Sequence, residues 1–229
     1  MSSVMKKIFE GKTKDVYHLD DGNIKLVFKD DMTGTNGKFD PGANTVGVTV
    51  DGAGRAGLAM SVYFFKLLEE KGYSTHFISA EDNSMTVKAA SPFGKGLEVI
   101  CRYKALGSFI RRYGGYIEKN VSLDAVIEFT LKDDERGDPL INEDALIALG
   151  ILSEYQYDEI KFATKEICDL IKEELAEHGL ELCDIKLEFG KDVDGNTMLI
   201  DEISGGNMRV YDVDGNTISP IELSNRIVR

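Results

Sequence analysis

Residues 180–204 have the sequence LELCDIKLEFGKDVDGNTMLIDEIS, in which two apolar runs flank an Asp194-Gly195 pair. This pattern predicts a β-hairpin, because glycine tolerates the positive φ that a primed two-residue turn requires. Such a turn places Glu188 directly opposite Asp201. Opposed carboxylates repel each other across a strand pair, whereas Mg²⁺ is commonly held by one or two carboxylates together with substrate phosphates. One interpretation of the hairpin is therefore a magnesium site.

Two other interpretations of the hairpin remain open. Both carboxylates can lean apart on a solvated face, and a register slip by a single residue would turn one of them to the other face of the sheet. The segment DVDGNT occurs at residues 192–197 and again at 212–217, and it superficially resembles a calcium loop. Because it lacks the glycine and glutamate positions of an EF-hand, we interpret both copies as turns.

The composition of the chain is that of an ordinary globular protein. Its 229 residues are 42% hydrophobic and 29% charged, which fits one large domain or two small, apposed ones. The formal net charge of −13 argues against a general binder of nucleic acid or of anionic membranes. Cys101, Cys168 and Cys183 lie in apolar segments without zinc-ligand spacing, so we expect buried, reduced thiols. The sequence has no signal-peptide pattern and no apolar run of membrane-spanning length, and we expect a cytoplasmic protein.

The order of strand and helix patterns is typical of an α+β fold with antiparallel sheets rather than of a doubly wound parallel sheet. Apolar residues at helical spacing predict helices over residues 56–71 and 153–178, and the second of these starts with the Ser-x-x-Gln spacing of a capping box. The segment SPFGKG at 91–96 is the best candidate for an interdomain hinge. We therefore expect an N-terminal lobe over residues 1–90 and a C-terminal lobe over residues 91–229.

Residues 29–55 form a long segment that is punctuated by glycines. Structureless segments of this length are uncommon in compact domains and are usually functional or disordered. Asp30, Asp31 and Arg55 favour a loop that faces the substrate. The alternative is a partly ordered surface flap with a short strand at residues 46–50, and the sequence does not choose between the two.

The segment EGKTK at residues 10–14 lies between two short predicted strands. A glycine lets the backbone approach a phosphate closely, and Lys12 and Lys14 add compact positive charge, so a hairpin that covers nucleotide phosphates would have this composition. The chain contains neither a Walker loop nor a GxGxxG motif. Taken alone, the segment is equally typical of a surface turn.

Positive charge is concentrated in the segment ICRYKALGSFIRRYGG, residues 100–115, although the chain as a whole is acidic. Gly107-Ser108 opens a short helix, where backbone amides, the Ser108 hydroxyl and the Arg102 guanidinium can bind an anion together. This interpretation is a pocket for a phosphate ester. The alternative is an exposed helix with ordinary surface arginines, which suits Arg111 and Arg112 better than Arg102. The three histidines are scattered and indicate no Ser-His-Asp or Cys-His arrangement.

Five segments of the chain carry a family pattern. They are EGKTKDVY at 10–17, EVICRYKALGS at 98–108, LKDDERGDPLINED at 131–144, DIKLEFG at 184–190 and IDEIS at 200–204. In this order they resemble the phosphoribosylaminoimidazole-succinocarboxamide synthases (SAICAR synthetases), a ligase family of purine biosynthesis. The resemblance implies a two-lobed fold related to the ATP-grasp enzymes. In such a fold the N-terminal lobe covers the nucleotide, and the C-terminal lobe carries the substrate and metal sites.

The resemblance also implies which residues form each site. The residues matched to ATP binding are Lys12, Lys14, Val87, Lys88, Ala89, Lys132 and Glu188, with residues 87–89 as the adenine hinge. The residues matched to Mg²⁺ are Glu188 and Asp201. The residues matched to the ribose phosphate of the substrate are Arg102, Ser108 and Arg209. Lys12 and Lys186 are implied as catalytic residues, near the nucleotide phosphates and the substrate carboxylate respectively.

The activity implied by the resemblance is ATP-dependent joining of carboxyaminoimidazole ribonucleotide to L-aspartate through an acyl phosphate, with ATP and Mg²⁺ and with neither a nucleic acid nor a membrane as a partner. Family members commonly self-associate, so a homo-oligomer is also expected. Residues 204–211 depart from the family pattern, with Gly205 and Gly206 in place of more rigid residues. Two alternatives follow. One is a divergent paralogous ligase with another amine or carboxylate substrate, and the other is a non-catalytic, nucleotide-binding regulatory protein.

Overall fold

The computed structural model describes residues 5–43 and 45–228. The chain forms two compact units. The first consists of the described residues of Met1–Ser91 and Ser219–Arg229 together with Gly190–Gly206, and the second consists of Pro92–Phe189 and Asn207–Ile218. The first segment of the first unit ends at Ser91, one residue after the expected boundary at residue 90. The two later segments of the first unit were expected in the C-terminal lobe.

The described residues form antiparallel strand pairs and separate helices, which confirms the α+β class. The strands are β1 (Lys6–Glu10), β2 (Lys14–His18), β3 (Ile24–Phe28), β4 (Asp31–Thr35), β5 (Lys38–Phe39), β6 (Val46–Thr49), β7 (Phe77–Glu81), β8 (Ser84–Val87), β9 (Ser91–Pro92), β10 (Leu97–Lys104), β11 (Ser122–Leu131), β12 (Glu181–Lys191), β13 (Thr197–Ile200) and β14 (Met208–Tyr211). The helices are α1 (Ala53–Glu70), α2 (Gly107–Tyr113), α3 (Glu143–Ala148), α4 (Glu154–Glu177) and α5 (Pro220–Ile227), with a 3₁₀ turn at Asp134–Arg136. None of the described helices is long and apolar enough to cross a membrane.

The main sheet of the first unit has the strand order β1-β2-β3-β8-β7. Helix α1 packs against β3 and α5 and buries Leu58, Phe65 and Leu68, which recur at helical spacing on one face. The helix begins at Ala53, earlier than the predicted start at residue 56. After its end, Gly72 has a φ of 89°, the left-handed conformation that commonly terminates a helix.

The glycine-punctuated segment 29–55 contains a small antiparallel sheet, in which β4 pairs with β5 and with β6. The short strand at residues 46–50, which belonged to the surface-flap alternative, is present as β6, whereas β4 and β5 were not predicted. A Cβ atom at Gly34 would collide with the backbone of Lys38. Glycine therefore permits a close approach between these strands, but it also removes the side-chain alternation by which strands are recognised.

The sheet of the second unit has one charged face and one apolar face. Strand β10 pairs with both β11 and β12, and β14 pairs with β12. The charged face carries side chains from three strands at alternate positions, namely Glu98, Arg102, Glu128, Thr130, Asp184, Lys186 and Glu188. Helix α4 packs against β10 and β11 and buries Ile160, Ile167 and Ile171. This packing covers the apolar face of the sheet. Tyr103 lies on that face, and its hydroxyl donates to Asp169 of α4 at 2.7 Å.

Helix α4 confirms the predicted capping box. The backbone N–H of Gln156 donates to Ser153 Oγ at 3.2 Å, and the backbone N–H of Ser153 donates to Gln156 Oε1 at 3.0 Å. Two backbone donors that lack helical partners are satisfied in this way. The helix ends near His178 and Gly179, as the sequence predicts.

The turn between β12 and β13 is longer than the predicted two-residue turn. Asp192 N–H donates to the carbonyl of Asn196 at 2.9 Å, so the loop contains Val193, Asp194 and Gly195 rather than two residues. The Asp192 carboxylate accepts hydrogen bonds from the backbone N–H groups of Asp194 and Asn196, and this local bonding stabilises the longer loop. The predicted two-residue turn is therefore wrong, because Asp192 bonds to Asn196, whereas the shorter turn would place it opposite Thr197.

The second copy of DVDGNT forms the same kind of loop. Asp212 accepts from the backbone N–H groups of Asp214 and Asn216 at 3.0 and 2.8 Å. The side-chain amide of Asn216 donates to the other Asp212 oxygen at 3.2 Å. Both oxygens of the first aspartate are engaged within the loop, as in the first copy, and the interpretation of both segments as turns is confirmed.

Candidate active site

The predicted phosphate-binding arginine lies at the centre of a buried charged cluster in the second unit. Arg102 is 2% exposed, because its position on β10 faces the charged side of the sheet between two neighbouring strands. Its Nε donates to Glu128 at 2.6 Å, its Nη1 to Asp184 at 3.0 Å and its Nη2 to Ser108 Oγ at 2.8 Å. The structure therefore brings Arg102 and Ser108 into direct contact.

Arg209 joins the same cluster from β14. Its Nη1 donates to both oxygens of Asp184 at 3.1 and 2.8 Å, so one carboxylate holds Arg102 and Arg209 together. A Cβ atom at Gly107 would lie 2.8 Å from Arg209 Nη2, and Gly107 has a φ of 52°. Glycine at this position leaves room for the guanidinium and adopts a backbone conformation that other residues avoid. The three residues predicted to bind the substrate phosphate thus meet around Asp184.

The two arginines of helix α2 differ in their contacts. Arg112 donates through Nη2 to Glu128 Oε1 at 2.6 Å, although 29% of its side chain is exposed. Arg111 is exposed, as an ordinary surface arginine would be. The interpretation of both residues as plain surface arginines is therefore wrong for Arg112, whose partner on β11 was not foreseen.

A second charged group lies farther along the same face of the sheet. Glu98 and Glu188 are directly opposite each other on β10 and β12, and both are buried. The Lys186 ammonium donates to Glu98 at 2.6 Å, and the Lys132 ammonium donates to both oxygens of Glu188 at 2.8 Å. Thr130 also donates to Glu98, at 3.1 Å. A pair of opposed carboxylates thus exists, with Glu98 as the partner of Glu188 within the second unit, and each member has a lysine beside it.

In the first unit, Lys14 forms a cluster with two acidic residues that follow β13. Its ammonium lies 3.1 Å from Asp201 Oδ1 and 2.5 Å from Glu202 Oε1, and the residue is 9% exposed. Burial alone would lower the pKa of Lys14, but the Asp201 and Glu202 carboxylates raise it above that of an ordinary lysine. Lys14 is therefore a permanent cation at this site.

Asp201 has an unusual backbone that two neighbours hold in place. Its φ is 68°, a left-handed conformation that costs non-glycine residues about 1–2 kcal/mol, although aspartate tolerates it better than most. Nε2 of His76 lies 3.0 Å from the Asp201 carbonyl oxygen, while Lys14 contacts the Asp201 carboxylate. Burial lowers the pKa of His76 to about 4, so the ring is neutral and must carry its proton on Nε2 to donate to a carbonyl.

Lys12 and Lys14 occupy different environments around the turn from β1 to β2. Lys12 lies in the turn itself, and Lys14 is the first residue of β2. Gly11 N–H donates to the Lys14 carbonyl at 2.8 Å, and a Cβ at Gly11 would lie 2.5 Å from that oxygen. The glycine is therefore required by a tight turn.

The expected adenine hinge follows β8. Val87 is the buried last residue of that strand, and Lys88 and Ala89 continue the chain without regular structure. Lys88 N–H donates to the His76 carbonyl at 2.7 Å, and its ammonium donates to the Thr75 carbonyl at 3.2 Å. These bonds hold the start of the segment against the residues that precede β7.

Sequence reasoning missed the acidic residues that hold the basic ones: Glu98, Glu128, Asp184 and Glu202. A signal for two of them, Glu98 and Asp184, was available. Each lies on a strand at an even spacing from a predicted site residue, so that the period of two places it on the same face. The signal was not sufficient, because pairing between distant strands had to be known first.

The segment between β13 and β14 is better fixed than its glycines suggested. A Cβ at Gly205 would lie 2.6 Å from Pro220 Cα, so the glycine permits a close backbone approach rather than a loose loop. Gly206 N–H donates to Ser204 Oγ at 2.9 Å, and Ser204 Oγ donates to Glu202 at 2.7 Å. In the second unit, the Asn207 amide donates to the Lys186 carbonyl at 3.1 Å. These contacts show that the two glycines do not loosen the segment, so that expectation is wrong.

Comparison with known proteins decides the family. The sequence model described as SAICAR synthetase matches residues 7–227. The chain belongs to the SAICAR synthetase family. A phosphoribosylaminoimidazole-succinocarboxamide synthase of Clostridium tetani is 56% identical over 98% of this chain and 100% of its own length. The synthase of the same name from Finegoldia magna is 39% identical over 93% of this chain and 88% of its own.

Solved structures of SAICAR synthetases have the same fold. One described as SAICAR synthetase (Type-2) in complex with ADP has a TM-score of 0.85 and 32% identity, and the match covers 96% of each chain. The synthase from Ehrlichia chaffeensis has a TM-score of 0.83 and 29% identity, with 93% of this chain and 88% of that chain covered. The family predicted from five short segments is confirmed over nearly the whole chain.

Proposed function

We propose that this member of the SAICAR synthetase family joins carboxyaminoimidazole ribonucleotide to L-aspartate, with conversion of ATP to ADP and phosphate. The observation that carries the proposal is the meeting of Arg102, Ser108 and Arg209 around Asp184. Arg209 is distant in the sequence from the other two, and a buried arginine cluster with an adjacent hydroxyl is suited to a phosphate monoester. Three guanidinium groups and two carboxylates, Glu128 and Asp184, leave the cluster with net positive charge before a ligand binds.

Mg²⁺ fits the donor set of the chain. The carboxylates matched to the metal, Glu188 and Asp201, are oxygen donors of the kind Mg²⁺ prefers, and each already has an ammonium group beside it. Glu98 and Glu188 form an opposed, buried pair whose repulsion is offset by the ammonium groups of Lys186 and Lys132. Glu188 of the second unit and Asp201 of the first unit are each proposed as a carboxylate ligand for Mg²⁺, with phosphate oxygens and water as the other ligands. When bound, Mg²⁺ supplies charge neutralisation to the transferring phosphoryl group.

The lysines have two roles in the proposed reaction, which are neutralisation of phosphate charge and orientation of the substrate carboxylate. In this proposal Lys12 and Lys14 neutralise the nucleotide phosphates, and Lys132, whose ammonium donates to Glu188, adds positive charge for the same role. Lys186, held by Glu98, orients the substrate carboxylate. That carboxylate attacks the terminal phosphorus of ATP, ADP leaves, and the resulting acyl phosphate is attacked by the aspartate amine with release of phosphate. These reaction steps need no nucleophile from the protein, and none was predicted.

A divergent ligase remains the second candidate, because residues 204–211 differ from the family pattern. The observation that favours a conserved activity is that these residues form a bonded structure, with Gly205 against Pro220 and Gly206 bonded to Ser204. The three buried cysteines are free thiols, which supports the proposal of a cytoplasmic protein. Homo-oligomer formation stays a prediction.

The deciding experiment is product analysis by mass spectrometry with ATP, the ribonucleotide and a panel of amines. We expect a product only with L-aspartate and with its close analogues. Ligation of another amine in preference to aspartate would favour the divergent ligase. Nucleotide binding without any ligation would favour the regulatory protein.

A further inference from the structure

Glu128 on β11 is a buried carboxylate that joins two arginines. Its Oε2 accepts from Arg102 Nε and its Oε1 accepts from Arg112 Nη2, both at 2.6 Å, and its side chain is 8% exposed. Each oxygen thus serves a different guanidinium. Because a buried charge is costly unless it is paired, each of the two guanidinium groups helps to stabilise the Glu128 carboxylate.

The contact at Nε determines how Arg102 presents its other donors. A guanidinium is planar and its N–H groups have fixed directions. With Nε directed to Glu128 and Nη1 to Asp184, Nη2 is directed to Ser108. Ser108 and Arg102 are the residues proposed to contact the substrate phosphate. Glu128 therefore sets the orientation of the Arg102 guanidinium without contacting the substrate itself.

Arg112 contacts the other oxygen of the Glu128 carboxylate. Its guanidinium contacts the same carboxyl group as that of Arg102, and it lies over the Tyr113 ring at 5.4 Å from the centroid. The side chain is 29% exposed, so part of it faces solvent, unlike that of Arg102. Two guanidinium groups on one carboxylate present a positive surface that a doubly charged phosphate can approach.

We propose that Glu128 is a positioning residue that orients Arg102 and holds Arg112 as a further anion-binding residue for the phosphate of the substrate. This inference rests on the proposed function for the identity of the substrate. The chemistry that it requires is only that of a phosphate monoester.

The test uses Glu128→Gln in the full-length protein, with Glu118→Gln on the surface as the matched control. The glutamine keeps the shape of the side chain but directs an NH₂ group at one of two arginine donors, so one arginine is released. We expect the KM for the ribonucleotide to rise about tenfold or more, with the KM for ATP unchanged within about twofold and little change in kcat. A parallel rise in both KM values with a lower melting temperature would show a merely structural role and overturn the inference.

Arg112→Ala provides a second test that does not depend on the folding of a core variant, with Arg111→Ala as its control. We expect a rise in the KM for the ribonucleotide of about threefold or more in the first variant only. Equal values for the two variants would overturn the assignment of Arg112.

Direct binding of ribose 5-phosphate, measured by calorimetry, separates this inference from the proposed function. We expect Glu128→Gln and Arg112→Ala to weaken this binding even if the protein forms no SAICAR. If the wild-type protein forms SAICAR but both variants bind ribose 5-phosphate normally, the inference alone fails.

Discussion

Asp201 combines a strained backbone with a predicted metal-binding side chain. Its left-handed φ of 68° is held from the carbonyl by His76 and from the carboxylate by Lys14. Such conformations persist where surrounding contacts determine them, and they cluster at functional sites. The metal-binding role of Asp201 was predicted from the family pattern. Its left-handed backbone conformation was not, because the hairpin prediction put residue 201 in a regular strand. The two neighbours that hold it come from other parts of the first unit.

We expect Asp201→Asn to reduce turnover by about 100-fold at limiting Mg²⁺ while changing the melting temperature little. Asparagine tolerates the left-handed backbone and retains an oxygen acceptor for Lys14, but it removes the negative charge that a cation requires. Steady-state kinetics over a range of Mg²⁺ concentrations and thermal unfolding measure the two effects. Asp194→Asn, in the exposed hairpin loop, is the control. Normal activity at limiting Mg²⁺ would remove Asp201 from the metal site.

Arg102 and Ser108 should respond differently to truncation, although both were predicted to bind the same phosphate. Arg102→Ala leaves Glu128 and Asp184 with one cationic partner fewer inside the protein, and we expect a loss of roughly 3–5 kcal/mol in the free energy of unfolding. Ser108→Ala removes one hydrogen bond, which is worth about 0.5–1.5 kcal/mol. Urea unfolding compares the two variants.

Ser108→Ala is therefore the cleaner kinetic test of the phosphate site. We expect it to raise the KM for the ribonucleotide several-fold while the KM for ATP stays unchanged. An equal effect on both substrates would assign Ser108 to the nucleotide site. An Arg102→Ala variant as stable as the wild type would contradict the buried cluster.

Cys183 gives the protein a specific response to alkaline pH. Burial, with smaller contributions from Asp184 and Glu181, raises the pKa of the thiol from 9.0 to about 12. Between these values the unfolded chain releases a proton that the folded protein keeps, so stability is fully present below pH 9 and is lost as pH rises. We expect Cys183→Ala to show a shallower loss of unfolding free energy above pH 9, by up to about 1.4 kcal/mol per pH unit. Equal slopes for the variant and the wild type, in urea unfolding at several pH values, would contradict this.

At the scale of elements, the strands that carry the site could be predicted, but their pairing could not. Helical spacing and the capping box predict the long helix, and the two apolar runs of residues 180–204 predict β12 and β13. The predicted hairpin turn was too short because the Asp192 side chain bonds to the backbone of its own loop. A local side-chain acceptor of this kind lengthens a turn by one residue.

Helix α2 depends on glycine at its first residue. In Gly107→Ala, the new methyl group would meet the Arg209 guanidinium, and the φ of 52° would become strained by about 1–2 kcal/mol. We expect a higher KM for the ribonucleotide because Arg209 is displaced, and a small loss of stability. Gly115→Ala is the matched control, because a Cβ there meets nothing within 4 Å. Kinetics that are the same for both variants would show that Gly107 does not position Arg209.

At the scale of the whole molecule, the order of five short motifs was sufficient to predict the family and the fold class. The composition of the two units was beyond the sequence, because Gly190–Gly206 and Ser219–Arg229 join residues from the start of the chain. Contacts between segments so far apart depend on packing of the complete fold, whereas motifs and periodicity report on local sequence. The candidate site follows the same division: its basic residues were predicted, while their acidic partners came from the fold.

The central claim is that the chain forms an amide through an acyl phosphate made from ATP and the ribonucleotide carboxylate. The most direct measurement is mass spectrometry of the phosphate released when the ribonucleotide carries ¹⁸O in both carboxylate oxygens, with ATP, Mg²⁺ and L-aspartate present. We predict that each turnover transfers one ¹⁸O to phosphate and leaves the other in the amide of SAICAR. Release of unlabelled phosphate during SAICAR formation would contradict the acyl phosphate, and absence of SAICAR would contradict the assigned reaction.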